Sequence, residues 1–425
     1  MKKIHSILPL SVALLLSACG GQPASQSQSP SASPSSEPSG KVKFTLSDPE
    51  DTSMLTENCK AYIDAMHEQE KLLEDKYAYH DLFGDDGVTV EDYLDQGGAE
   101  GENRTVNGQI PNRSDRNEGV NLEFEAEGAE SYKVMVSLNQ DFSDAIEIET
   151  DENSVNVNNL FVNKQYYWKV VAEGEESEVH TFTTDDYPRW ISARPLYNVR
   201  DQGGYMTSSG KRVKQGLVFR GGEITTTSSS GHYNTIADSS KEVFRDVMNI
   251  GLELDLRGPS DIYDGYAACA FAEDGDIEYQ QSAIKSYEQT FTNTRSMVAP
   301  IFEALSHADE KPVYYHCFGG ADRTGTIGFL LNGVLGVSYT DLVIDFELTS
   351  YSSINNEHIR NHIPGHQRQY DRWPALINQI KTDKTNGYAY DADVSLAENL
   401  ENFLVLACSV PQETINTIRS IMLED

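Results

Sequence analysis

The sequence predicts a multidomain chain in which an all-β sandwich precedes an α/β domain built as a central sheet flanked by helices. Three observations predict it. Between about residues 107 and 186, apolar residues recur at every second position. Beyond residue 190, short apolar strands alternate with segments of helical spacing, as in a layered α/β fold. The chain is also 425 residues long, enough for two or three domains with full cores.

The N-terminus is expected to be an export signal. Lys2 and Lys3 precede an apolar run over 7–16 that is too short to span a bilayer. Leu16-Ser17-Ala18-Cys19-Gly20 then resembles the bacterial lipobox. That resemblance implies removal of residues 1–18, lipidation of Cys19, and a protein anchored outside the cytoplasm at the bacterial cell membrane. Residues 19–40 are almost all Ser, Pro, Gln, Ala and Gly, a composition that cannot bury a core and reads as a flexible linker.

Residues 41–104 are acidic and partly helical in pattern: Leu55, Cys59, Tyr62, Ile63 and Met66 fall three or four apart on one face. No catalytic signature occurs there, and a helical spacer or docking element is expected. In residues 105–187 the period becomes two. Val120, Leu122, Phe124 and Ala126 alternate with polar residues, as do Tyr132, Val134, Val136 and Leu138, and then Val155 and Val157. Strands over 166–172 and 178–184 complete about seven short strands, with Trp168 expected in the core. The run Tyr166-Tyr167-Trp168-Lys169-Val170-Val171-Ala172, followed by Val179-His180-Thr181-Phe182-Thr183-Thr184, resembles the last strands of fibronectin type III-like domains. Such a unit positions or binds, which implies a protein or carbohydrate partner.

In residues 188–425, strands are expected over 252–256 and 312–315. Helices are expected over 290–308 and 327–335. The formal charge of −34 disfavours nucleic-acid partners. It is uneven: residues 41–190 carry −23 and residues 191–425 carry −12, while residues 191–220 carry +5. The acidic total therefore leaves room for a local anion site. With Cys19 assigned to lipid, Cys59, Cys269, Cys317 and Cys408 are too scattered for a disulfide framework and lack the spacing of a thiolate metal site. Cys408, in an apolar run, is expected in the core. Cys317 has chemical neighbours.

Those neighbours are His316, Phe318, Gly319, Gly320, Ala321, Asp322, Arg323, Thr324 and Gly325, a loop between the strand ending near Tyr315 and a helix start. Such a loop can wrap its backbone N–H groups round a phosphate, with the helix N-terminus adding positive potential. The same field lowers the thiol pKa of Cys317 and makes it a nucleophile for phosphorus. Arg323 can grip two phosphate oxygens, Thr324 can donate to the sulfur as it leaves, and His316 can orient the loop. Phe318, Gly319, Gly320, Ala321 and Gly325 supply the substrate-binding wall.

This pattern is the His-Cys-x5-Arg-Thr-Gly signature, and the chain resembles the cysteine-based protein tyrosine phosphatases. Asn198-Val199-Arg200-Asp201-Gln202-Gly203-Gly204, Phe219-Arg220-Gly221-Gly222, Asp255-Leu256-Arg257 and the segment 336–346 are similar to further motifs of the bacterial members. The resemblance implies phosphomonoester hydrolysis through a cysteinyl-phosphate intermediate, with no metal or other cofactor. It also implies a phosphotyrosine protein or small phosphomonoester as substrate. Inositol phosphates are the alternative, weakened because Ala321 stands where phosphoinositide-hydrolysing relatives carry Lys. A surface-binding lipoprotein with a weakly active phosphatase domain is a further alternative.

A general acid must protonate the leaving oxygen. Asp322 in the loop and Glu288 in the segment 279–288 are the candidates, with Asp322 favoured. Arg200, Arg220 and Arg257 are read either as groups that guide substrate or as salt-bridge partners of Asp201 and Asp255, and Asn198 and Asp201 as supports. His358, His362 and His366 have a spacing suited to zinc, but Pro364 interrupts the helix such a site needs, and a loop covering the site is expected instead.

Overall fold

The computed structural model describes residues 42–57, 59, 60, 63, 64, 66–68, 119–224, 236–258, 275, 277–354, 357, 358 and 372–425. The expected export signal, Cys19 and linker lie outside the described residues. So do Tyr62, Cys269, His362, His366 and the side chain of His358. Residues 42–425 pack as one unit. No helix among the described residues is long and apolar enough to cross a membrane.

The N-terminal part is mostly β. Its strands are β1 (Lys43–Leu46), β2 (Val120–Glu127), β3 (Tyr132–Ser137), β4 (Ile146–Thr150), β5 (Ser154–Val157), β6 (Gln165–Ala172), β7 (Glu175–Glu176) and β8 (His180–Thr183). One antiparallel sheet runs β1-β2-β5; the other runs β4-β3-β6, with β7 and β8 both pairing with β6. The two-residue period places Val120, Leu122 and Phe124 of one sheet and Val134, Tyr166, Trp168 and Val170 of the other in a single core. Trp168 is fully buried there.

Sequence periodicity did not reveal β1. It lies inside the segment read as an acidic spacer, yet pairs with β2 from Lys43↔Glu127 to Leu46↔Phe124. The stretch that follows is divided between two cores. Met54 enters the β core, whereas Leu55, Cys59, Ile63 and Met66 pack with Trp190 and Tyr205 in the core of the C-terminal part. Tyr187 donates to Asp64 at 2.9 Å, and His67 Nε2 lies 2.9 Å from Asp341. This stretch docks.

The C-terminal part is mixed α/β. Its five-stranded sheet contains β9 (Arg200–Asp201), β10 (Val218–Gly221), β11 (Leu252–Asp255), β12 (Glu278–Gln281) and β13 (Val313–His316) in the order β12-β11-β13-β10-β9. The first four in that order are parallel, and β9 runs antiparallel at the edge. Strands β10, β11 and β13 are buried throughout, so the polar residues they carry, Arg220, Glu253, Asp255 and His316, are buried with them. Alternation divides them between two cores: Val313 and Tyr315 face one, Tyr314 and Phe219 the other. The helix Asp322–Leu335 is almost wholly buried and ends at Gly336 with φ 92°, a left-handed stop suited to glycine.

The helix expected over 290–308 is broken in two. Glu288–Asn293 and Val298–Leu305 are separated by a tight turn at Arg295–Met297. Thr294 explains the break: it leaves helical geometry, and its hydroxyl donates to Thr290 O while accepting from Lys285 N.

Candidate active site

Parallel strands present their carboxyl ends to one side of a sheet, where α/β folds place ligands. The end of central strand β13 delivers Cys317 there, and the loop 317–321 leads directly into the helix Asp322–Leu335. The chain must pass very close to β10. Gly320 has φ 66°, and a Cβ on it would stand 2.4 Å from the carbonyl of Gly221, so only glycine fits.

The carbonyls of residues 317–320 are all turned toward the scaffold, and that of Ala321 accepts from Gly325 N in the helix. Cys317 O lies 3.0 Å from His316 Nδ1. Phe318 O accepts from Glu223 N and the Tyr197 hydroxyl. Gly319 O and Gly320 O accept from Asn198 Nδ2 at 3.0 and 3.1 Å, and Gly320 O also from Arg220 Nη2 at 2.8 Å. The N–H groups of Gly319, Gly320 and Ala321 are not spent on any described carbonyl. A tight loop with its carbonyls tied outward aims its N–H groups inward, which makes a concavity for an anion.

The electrostatics of Cys317 match that geometry. Burial pushes the thiol up, but the Arg323 guanidinium, the Thr324 hydroxyl and the Thr324 N–H together hold it below its ordinary value. Thr324 Oγ1 is buried and has no nitrogen or oxygen partner among the described residues, so its hydroxyl is left to the sulfur. Cys59 and Cys408 provide the contrast: burial pushes both up to about 12. Of the three described thiols, Cys317 is the one prepared to ionise.

Arg200 and Arg220 do not line the anion site, contrary to the expectation of substrate-guiding groups. Both are fully buried behind the loop and share Asp345, with Arg200 Nε 3.3 Å from Oδ1 and Arg220 bonded to Oδ2. Burial and the neighbouring Arg220 bring the Arg200 pKa down to about 10, while the two arginines outweigh burial to hold the Asp345 carboxyl below its ordinary value. Their partner is Asp345 rather than Asp201. Asp201 instead binds Arg189 Nη1 at 2.8 Å and accepts from the N–H groups of Gly203 and Gly216. Arg189 reaches in turn into the β part, donating to Leu160 O at 3.0 Å and Asn159 O at 2.8 Å.

Arg257 is also buried and structural. It grips Asp255 through Nε and Nη2 and Glu223 through Nη1. Beside this pair, His316 Nε2 lies 2.9 Å from Glu253 Oε1. Both imidazole nitrogens thus face acceptors, an arrangement that suits the doubly protonated ring. Burial opposes that charge, but Asp255 and Glu253 outweigh it and raise the His316 pKa. Glu253, Asp255 and His316 are close enough to hold a metal ion. Asp255 is nevertheless committed to Arg257 and Tyr279, and His316 to the loop; these residues work as a loop support.

Asp322 opens the helix at the mouth of the loop, half-exposed, and Glu288 opens the helix Glu288–Asn293 nearby in the fold. The contact that organises this side involves a residue the sequence did not single out. Tyr287, immediately before Glu288, places its hydroxyl 2.5 Å from Asp322 Oδ1. Glu253 and Asp345 were also missed as functional partners. Nothing in a single sequence marks a lone Tyr or Glu as facing a loop more than 30 residues away.

A thiol held low at the end of a central strand, an inward-facing amide loop and an arginine six residues on define a cysteine-based phosphatase domain. Residues 191–424, more than half of the chain, match the family described as Tyrosine phosphatase family, and the chain belongs to that family. Among solved structures it is similar to the core catalytic domain of PP-IP phosphatase SIW14 from S. cerevisiae in complex with citrate. That similarity is at 12% identity and TM-score 0.24, over 35% of this chain and 74% of that one. No curated protein matches.

Proposed function

We propose that the chain is a phosphomonoester hydrolase working through a cysteinyl-phosphate. The Cys317 thiolate attacks phosphorus as the bond from phosphorus to the ester oxygen breaks, and Asp322 gives its proton to that oxygen. Water then attacks the phosphocysteine, returning a proton to Asp322 and releasing the Cys317 thiolate with help from the Thr324 hydroxyl. Arg323 and the inward N–H groups hold the transferring phosphoryl group throughout. The observation that carries this reading is the contrast between Cys317, held below its ordinary pKa in a loop whose carbonyls from 317 to 320 are bonded away from it, and the other two described thiols.

The test is hydrolysis of 4-nitrophenyl phosphate in the presence of chelator by the full chain and by Cys317→Ser. The expected result is turnover by the wild type, none by the variant, and acid-labile phosphate trapped on wild-type Cys317 by rapid denaturation. Activity abolished by chelator, or kept by Cys317→Ser, refutes the mechanism.

The loop selects a phosphate monoester and not the group that carries it. Phosphotyrosine and inositol phosphates are therefore the two substrate classes to compare, by kcat/KM across a peptide panel and an inositol phosphate series. The sequence around Cys19 supports an anchored, extracytoplasmic protein, tested by labelled fatty-acid incorporation that Cys19→Ser abolishes.

A further inference from the structure

We propose that Tyr287 is a positioning residue that fixes the carboxyl of Asp322 for proton transfer. This rests on the reading of Asp322 as the proton donor and adds a residue that neither the sequence motifs nor the family match assigns.

The first observation is the backbone. Tyr287 has φ 53° and ψ −133°, a conformation open to glycine and unfavourable for any residue with a side chain. Such a conformation persists where the surroundings over-determine it, and here they do so from two sides. The Tyr287 N–H donates to Thr326 Oγ1 at 3.0 Å, and that hydroxyl donates to Asp322 O at 2.9 Å. The phenol meanwhile reaches Asp322 Oδ1 at 2.5 Å. Backbone and side chain of one strained residue thus both engage the N-terminal end of the helix that carries Asp322. The ring itself is held: it is 4% exposed and lies edge-on to Phe346, with centroids 6.0 Å apart. A glycine at 287 would relieve the strain and lose the phenol.

The chemistry follows from the single phenolic proton. Tyr287 O–H donates to Asp322 Oδ1, and Oδ1 can accept that bond whether or not the carboxyl is protonated. The phenol therefore stays paired through the whole cycle and leaves the proton transfer to the other oxygen. In the first step the proton on Asp322 Oδ2 passes to the leaving ester oxygen; in the second, Oδ2 takes a proton from the attacking water. The phenol exchanges no proton and remains neutral. Without it the carboxyl loses the bond that fixes Oδ1, and fewer of its orientations can reach the leaving group.

The experiment compares kcat/KM on 4-nitrophenyl phosphate, whose leaving group departs without much help, and on an alkyl phosphate, which needs the proton. Tyr287→Phe keeps the ring and removes the hydroxyl. It is expected to lower kcat/KM on the alkyl ester about tenfold or more, a share of the roughly 10²–10⁴-fold that a positioned acid–base group contributes, and to leave the nitrophenyl ester within about threefold. Asp322→Asn should show the same selectivity more strongly, and the double variant should be no worse than Asp322→Asn alone. Equal losses on both esters, or additive losses in the double variant, overturn the role of Tyr287 while leaving Asp322 in place. If Asp322→Asn itself shows no leaving-group dependence, the proton-donor reading fails first, and the assignment of Tyr287 falls with it. Should Tyr287→Phe not fold, Thr326→Val carries the test: it loosens the backbone hook, and the alkyl ester must again suffer selectively.

Discussion

Replacing Asp345 by Asn separates two roles for the paired arginines. Asp345 is almost fully buried and receives Arg200 at one oxygen and Arg220 at the other, with Gln202 Nε2 at 3.4 Å. The amide keeps the volume but removes the charge, and its NH2 group points donors at guanidinium donors. Breaking a buried ion pair by neutralising one partner costs about 3–5 kcal/mol. Two buried cations then face each other without a counter-charge, so a value near the upper end, about 5 kcal/mol, is expected. A domain of ordinary stability has only about 5–15 kcal/mol in total. The assay is urea unfolding at neutral pH, where the midpoint should fall with little change in slope. Because Arg220 also holds Gly320 O, the surviving folded fraction should have reduced kcat on 4-nitrophenyl phosphate. An unfolding free energy within about 1 kcal/mol of wild type would mean that solvent or substrate already compensates these arginines, and the bracing role would be wrong.

Two further predictions concern protons. Iodoacetamide near neutral pH should modify Cys317 well before Cys59 or Cys408, as read by peptide mapping, because burial pushes the latter two thiols up to about 12; equal rates in the folded protein would contradict the loop electrostatics. His316 has its folded pKa raised above its ordinary 6.5, so its ionic contribution is complete below that value and is lost as pH rises through the folded pKa. Unfolding free energy should therefore decline on the alkaline side of 6.5, and Glu253→Gln should flatten that decline. A pH-independent difference between the two proteins would count against a charged His316.

The chemistry of the loop was legible because it is contiguous. A phosphate cradle needs its nucleophile, small residues and cation within one turn of chain, so Cys317, Gly320, Arg323 and Thr324 announce themselves in a single line of sequence. The supports were legible as motifs but not as roles. Arg200 stands beside Asp201 in sequence and pairs with Asp345, 145 residues away, and no local pattern reveals which carboxylate a buried guanidinium will find. Alternation exposed the strands that bury one face, whereas β1, four residues of intermediate and exposed side chains, gave no such signal. The helix over 290–308 was misread because spacing is blind to a threonine hydroxyl that competes for backbone groups.

The guanidinium of Arg189 has a practical meaning for anyone dissecting the chain. The family match begins at residue 191, and a fragment cut there retains every motif residue. It discards the cation that sits on Asp201, next in sequence to Arg200 and so one step from the brace behind Gly320. A fragment cut at 188 keeps Arg189 but removes Leu160 and Asn159, leaving two of its three acceptor groups behind. Each cut strands one end of a buried polar contact, and either fragment is expected to unfold at lower urea than the full chain. The homology border thus falls between a buried carboxylate and its counter-ion.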